Sequence, residues 1–153
     1  MNKNSLQFTM EDFGDNTGFL ILKVSNLWKN YYGYVLKKCH NLSHIQYTVL
    51  ASINQLSLQN SKTTQVMLAK HLNIDPMNLS YILKGLEVSG YICRIPHPVD
   101  VRAKIVNLTQ EGKELLLRAI NTIAKADLKF FKILGKNPER FNRDLLKLLQ
   151  ANN

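Results

Sequence analysis

Thr63-Thr64-Gln65-Val66-Met67-Leu68-Ala69-Lys70-His71-Leu72-Asn73-Ile74-Asp75-Pro76 is the stretch whose reading decides the fold. Thr63 or Thr64 supplies a side-chain oxygen for the unsatisfied N–H groups at a helix start. Leu68, Ala69 and Leu72 give that helix one apolar face, and small Ala69 allows a second helix to approach closely. Asn73 falls where the chain must turn, and asparagine tolerates the left-handed conformation better than most residues with a Cβ. Asp75-Pro76 then restarts a helix, Asp as cap and Pro at a position whose N–H is not needed. Ile74 and Leu79 flank the cap at the spacing of a hydrophobic staple. Two short helices joined by a tight, capped turn make a helix-turn-helix.

Working outward, the second helix carries Leu79, Ile82, Leu83 and Leu86 at helical spacing, so that face packs inward. Asn78, Ser80, Tyr81 and Lys84 fall on the other face, and such side chains hydrogen-bond to base edges and phosphates. Gly90 is placed to end the helix. Tyr91–Ile95 and Ala103–Leu108 read as two strands around a turn at 97–100, which makes a β-hairpin wing, and Thr109 is the expected cap of the helix that follows. The predicted class is mainly α with a small β-hairpin, α+β overall: a winged helix-turn-helix at 42–110, flanked by N- and C-terminal helices.

Leu86-Glu87…Gly90-Tyr91-Ile92…Arg94, then Asp100-x-Arg102, then Leu108-Thr109-x-x-Gly112, resembles the MarR family of bacterial transcription regulators. The earlier Leu42-Ser43-x-x-Gln46-Tyr47-x-Val49-Leu50 looks like that family's second helix. The resemblance spans roughly residues 18 to 150, and the wing motif is its specific part. It implies a homodimeric, sequence-specific regulator that represses by covering a pseudo-palindromic operator, with relief by a small ligand bound between the dimer helices and the reader. It also implies that Asp100 orients Arg102 by an ion pair and that Arg102 enters the minor groove, where narrow A·T-rich DNA attracts guanidinium groups. The family often has a basic residue after the wing Asp; this chain has Val101.

The candidate contacts follow. Asn78 suits a bidentate pairing with adenine, Lys84 a phosphate, and Met77 a thymine methyl or plain packing. Thr64 and Gln65, at a helix N-terminus, suit phosphate, as do Arg94 and Lys104 on the wing. Ser80 and Tyr81 complete the helix face. The chain's 153 residues and 45% hydrophobic content suit one domain with dimerisation helices attached, and a net charge of +9 with a pI near 9.6 favours an anionic partner, of which double-stranded DNA leads.

The flanking helices are predicted at 17–38 and 110–150. Leu20, Val24, Leu27, Trp28, Tyr31 and Val35 line one side of the first, with Cys39 already in the loop at 39–43. Leu116, Ile120, Ile123, Phe130, Phe131 and Leu134 line a helix over 110–134 that Gly135 stops. Asn137-Pro138 starts a last helix, where Phe141, Leu145, Leu148 and Leu149 form a single stripe. These apolar faces are wider than one winged helix covers, and a second copy is the simplest partner. Trp28, Tyr31 and Tyr32, with Gln46, are candidates for a ligand-pocket wall; the alternative is that the aromatics form dimer core and that Gln46 packs. Ser43 is placed to cap the helix over 44–57.

No nucleophile elbow, phosphate loop or His-Glu-x-x-His run suggests an enzyme, and His40, His44, His71 and His97 fall at no metal-binding spacing. No cofactor is expected. Cys39 and Cys93 match no zinc or disulfide pattern. Cys39, beside Lys37, Lys38 and His40, is the one candidate for redox sensing. A winged helix used for protein contact is the other rival. The N-terminal sequence lacks the apolar core of a signal peptide and no run is long enough to span a bilayer, so a cytoplasmic protein without membrane attachment is expected.

Overall fold

The computed structural model describes residues 16–59, 62–100, 102–135 and 138–152. Its elements run α1 (Thr17–His40), α2 (His44–Gln59), α3 (Gln65–Leu72), α4 (Pro76–Val88), β1 (Ile92–Pro96), β2 (Lys104–Leu108), α5 (Gln110–Phe130), a 3₁₀ turn (Phe131–Leu134) and α6 (Pro138–Ala151). Residues 1–15, Val101 and the expected cap Asn137 lie outside the described residues.

Local capping sets most boundaries. Asn16 Oδ1 accepts the N–H of Phe19 and starts α1. At the other end α1 runs past the expected stop at 38, so Cys39 is helical. Asn41 closes it in the left-handed conformation, φ 54°, with its N–H directed at the carbonyls of Leu36 and Lys37. Ser43 and Gln46 cap α2 reciprocally: Ser43 Oγ accepts the N–H of Gln46, and Gln46 Oε1 accepts the N–H of Ser43. Thr109 Oγ1 accepts the N–H of Gly112 at the head of α5 and donates to the Gly90 carbonyl, so one hydroxyl joins α5 to the end of α4. The helix expected over 110–134 tightens at Phe131 into a 3₁₀ turn, and Gly135, at φ 67°, follows it.

Strands β1 and β2 pair antiparallel with Arg94 opposite Val106. Thr64 forms a bridge with Ile105, and the Thr63 carbonyl accepts the N–H of Val106 at 2.8 Å. The residues before α3 therefore act as a short third strand and fix the hairpin to the helix-turn-helix. Thr63 is buried there.

The core lies between α2, α3, α4, the hairpin and the first half of α5. Val49, Leu50, Ile53, Leu68, Leu79 and Leu83 have no accessible surface. Leu36 and Leu42 bring the end of α1 into the same cluster. Gly112 sits where α5 crosses the α4–β1 turn; a Cβ there would lie 1.9 Å from the Tyr91 carbonyl oxygen, so only glycine fits.

The outer helices are covered differently. Leu20, Val24 and Leu27 of α1 and Ile120 of α5 are exposed on the single chain, and α6 has no buried residue although Phe141, Leu145, Leu148 and Leu149 form one stripe. The described part of that stripe meets α1 around a cavity of about 410 Å³, lined by Leu20, Ile21, Val24, Trp28, Phe131, Phe141 and Leu145 among others.

Candidate nucleic-acid interface

The turn between α3 and α4 is built from side chains that satisfy its own backbone. Thr64 Oγ1 accepts the N–H of Met67, which settles the cap between the two threonines. Asn73 takes φ 50° and directs its N–H at the carbonyls of Ala69 and Lys70. Asp75 Oδ1 accepts from the N–H groups of Met77 and Asn78, both at 3.0 Å. Gln65 Nε2 reaches the Pro76 carbonyl at 3.4 Å and spans the starts of the two helices. With Leu79, Leu83 and Leu86 buried, the opposite face of α4 must point outward. Met77 is 81% and Tyr81 82% exposed, Asn78 and Lys84 are exposed, and Ser80 is half-buried.

The wing stands beside this face. His97 Nδ1 accepts the N–H groups of Val99 and Asp100, which folds the tip back on itself. A bare Nδ1 puts the proton of the neutral ring on Nε2. Asp100 differs from expectation: its carboxylate accepts the backbone N–H of Arg102 at 3.0 Å and, among the described residues, makes no ion pair with the guanidinium. The acid shapes the turn that carries Arg102 and leaves the Arg102 side chain exposed.

Arg94 also has a partner that sequence spacing does not show. Its Nε and Nη2 both donate to Glu87 Oε2, the former at 3.0 Å, tying β1 to the last turn of α4. The hydrogen bond from Arg94 holds the Glu87 carboxyl below its ordinary range, with the charges of Arg94 and Lys104 adding to the effect against partial burial. Arg94, expected to meet phosphate, therefore also holds an internal carboxylate with two of its donors.

Thr64, Gln65, Arg94, Arg102 and Lys104 nevertheless come together, lining one cleft of about 320 Å³ between the helix starts and the wing. On the other flank of α4, Tyr81 and Lys84 line a groove of about 600 Å³ with Ser43, Gln46 and Val88. The outward face of α4 thus lies between two clefts, with Arg94, Arg102 and Lys104 in the cleft toward the wing, α4's own Lys84 in the other, and no acidic side chain on the face itself.

Of the four ligand-wall candidates, Trp28 meets both Tyr31 and Tyr32, at ring separations of 6.2 and 5.8 Å, and Gln46 lies apart from them. Trp28 meets Phe130 and Phe131 at ring separations of 5.1 and 5.5 Å, and Tyr31 stacks on Phe130 at 5.8 Å. Tyr32 is also edge-on to His44 and Tyr47. Trp28 and Tyr32 share a cavity of about 400 Å³ between α1, α2 and α5, lined also by Ser25, Lys29, His44, Tyr47 and Ile123. Gln46 is not there, since its amide caps α2 and faces the α4 groove. Burial, with Tyr47 alongside, pushes the Tyr32 phenol up to about 12 despite a hydrogen bond with Thr48. Burial and the nearby Lys29 hold His44 below its ordinary value. Lys29, His44 and Tyr47 escaped the sequence reading because only the crossing of α1 over α2 brings them beside Tyr32. Cys39 and Cys93 are both exposed.

A capped helix-turn-helix with an outward second helix, braced by a hairpin whose turn exposes an arginine, defines the winged-helix transcription regulators. The MarR family pattern matches residues 42–104. An HTH-type transcriptional regulator of Bacillus subtilis (strain 168), YdcH, uncharacterised in function, is 31% identical over 139 residues, covering 90% of this chain and 93% of the relative. A mutant MarR from E. coli superposes with a TM-score of 0.76 at 25% identity, over 88% of this chain and 96% of that one. The transcriptional repressor CouR, solved bound to a 23-mer DNA duplex, gives 0.76 at 25% identity, over 95% and 96%. This chain belongs to the MarR family of transcription regulators.

Proposed function

We propose that the protein binds double-stranded DNA sequence-specifically as a homodimer and represses transcription from a pseudo-palindromic operator. The observation that carries this reading is the outward face of α4: a rigidly capped helix presenting Asn78, Tyr81 and Lys84 beside a cleft that holds Arg94, Arg102 and Lys104. Each α4 enters a major groove, half-sites lie about one helical turn apart, and each wing sets Arg102 against the flanking minor groove. In this reading residues 42–110 are the reader, and α1, α5 and α6 are the dimerisation helices. The uncovered stripe of α6 and the apolar face of α1 support the second half, since a lone chain would leave them in water. CouR has been solved bound to a 23-mer DNA duplex, which supports the first half.

Effector control is part of the proposal. The cavity holding Trp28, Tyr32, His44 and Tyr47 lies where α1 and α5 meet α2, between dimer helices and reader, and a ligand there would bias how the two readers sit relative to each other. A cytoplasmic location follows from the proposed role; among the described residues no helix is long and apolar enough to cross a membrane.

Selection of bound duplexes from a random DNA pool tests the function, followed by titration of the enriched duplex over a range of salt. The expected result is an enriched inverted repeat bound by two chains, with affinity falling steeply as salt rises. An unenriched pool, or binding indifferent to salt, would overturn the reading in favour of a winged helix used for protein contact.

A further inference from the structure

The outward stripe of α4 runs Met77, Tyr81, Lys84, Val88, at the 4-3-4 spacing of one helix face. Met77, Tyr81 and Val88 are 81%, 82% and 82% exposed. This is an unusual surface for either of two simpler roles. A helix that meets only water gains nothing from three large apolar side chains in a row. A helix that only grips phosphate would carry several cations, and this stripe carries Lys84 alone. The remaining candidate cations, Arg102 and Lys104, sit on the wing across the cleft. Charge and apolar surface are therefore divided between two elements.

In the major groove the thymine C5-methyl is the apolar group among the hydrogen-bonding edges of the four bases. We propose that Met77 and Tyr81 read thymine methyl groups, so that each half-site requires thymine at the positions beneath these two side chains. The inference rests on the proposed entry of α4 into the major groove and adds to it what the helix recognises there. Met77 is well placed for this. Its backbone N–H is held by Asp75 Oδ1 at 3.0 Å, so the first turn is fixed while the thioether chain stays free to follow a methyl. Tyr81, one turn on, offers a rigid ring with an apolar face.

The experiment uses the full-length protein and the duplex it enriches from a random pool, together with copies in which single thymines are replaced by deoxyuridine, removing the methyl and nothing else. Wild type is titrated beside Met77→Ala, Tyr81→Ala and the conservative Met77→Leu and Tyr81→Phe. Wild type is expected to lose about fourfold in affinity for each critical methyl removed, the value of one buried carbon group. Met77→Ala should bind thymine and uracil duplexes equally at one position and Tyr81→Ala at another, while the leucine and phenylalanine variants keep the wild-type discrimination. Both side chains are exposed, so the variants should keep the wild-type circular dichroism and melting curve. If no thymine replacement costs wild type more than twofold, or if the cost persists unchanged in both alanine variants, methyl reading is wrong while DNA recognition stands, and the stripe would be a contact for another protein. If no duplex is enriched at all, the inference falls together with the function it rests on.

Discussion

At the scale of single residues, the winged helix separates side chains that look alike in sequence. Asn78 and Lys84 are both exposed on α4, one in the first turn fixed by Asp75 and the other nearly two turns later beside the α2 groove. Asn78→Ala should relax preference at one position of each half-site by roughly 1–3 kcal/mol of discrimination, with the salt slope unchanged. Lys84→Ala should weaken all duplexes alike and lower the salt slope by about one per protomer. Equal losses on operator and random DNA for Asn78→Ala would remove its base-reading role. Arg102 and Arg94 form a second pair that diverges. Arg102 is exposed, whereas Arg94 is held by Glu87. Arg102→Ala should cut operator affinity and leave the melting temperature nearly unchanged. Arg94→Ala should do the reverse, lowering the melting temperature by stranding the Glu87 carboxylate, with a smaller effect on DNA. Asp100→Ala should resemble a mild Arg102→Ala, because it frees the backbone N–H of Arg102 and loosens the wing turn rather than removing the cation. Binding isotherms paired with thermal melts separate these outcomes.

At the scale of elements, the wing and α5 are positioned by backbone contacts. Tyr91 O accepts the N–H of Thr109 at 3.1 Å, and Gly112 lies directly over the same carbonyl. A methyl at 112 meets main chain, which cannot rotate away as a flexible side chain could. Gly112→Ala should therefore destabilise the protein by about 3 kcal/mol, the upper end for overpacked sites, read as a lower urea midpoint. An unchanged midpoint would mean that α5 is free to shift on the hairpin. The junction of α1, α2 and α5 carries a pH dependence. Thr122 Oγ1 donates to the Arg118 carbonyl and so accepts from His40 Nε2 at 2.8 Å, which tethers the end of α1 to α5. Burial, then Arg118, holds His40 below its ordinary value, and burial, then Lys29, does the same for His44. A histidine whose pKa is lower in the folded state binds fewer protons there than in the unfolded chain. Stability is therefore unaffected well above about pH 6.5 and falls as pH drops through that value toward the folded pKa values. The melting temperature should decline between about pH 7 and 5.5, and the decline should flatten in a His40→Gln, His44→Gln double variant. A pH-independent melt of the parent would contradict the burial of these rings.

At the scale of the whole molecule, the single chain leaves the faces of α1 and α6 uncovered while the reader is closed around its own core. Leu149 of α6 is 61% and Leu27 of α1 62% exposed, against zero for Leu50, Leu68 and Leu83. Such a difference between halves is what an obligate partner surface looks like. The protein should sediment as a dimer at micromolar concentration. Removing residues 137–153 should uncover the apolar face running from Leu116 to Leu134 and produce dissociation or aggregation. A monodisperse full-length monomer would exclude this assembly and, with it, the inverted-repeat operator.

What the amino-acid sequence determined alone is the part of the fold that depends on neighbours within about four residues. Thr64, Asn73, Asp75 and Thr109 each satisfy backbone groups one turn away or less. Their meaning is therefore fixed before any tertiary contact forms, and with it the bounds of the helix-turn-helix and of α5. The reciprocal cap of Ser43 and Gln46 belongs to the same class: the Ser-x-x-Gln spacing carries it, although the sequence reading places Gln46 in packing or a ligand wall and recognises only Ser43 as a cap. Tertiary structure alone decided which long side chains spend their charge internally. Glu87 and Arg94 are seven residues apart, across the turn from α4 to β1, and nothing in their spacing selects that pair over Asp100 with Arg102. It likewise decided that Tyr32, His44 and Tyr47 share a cavity with Trp28, and that Thr63 serves the sheet rather than the helix cap. Periodicity tells which face of a helix is apolar, but the crossing of two helices tells which residues meet and whether a face is covered by the same chain or left for another.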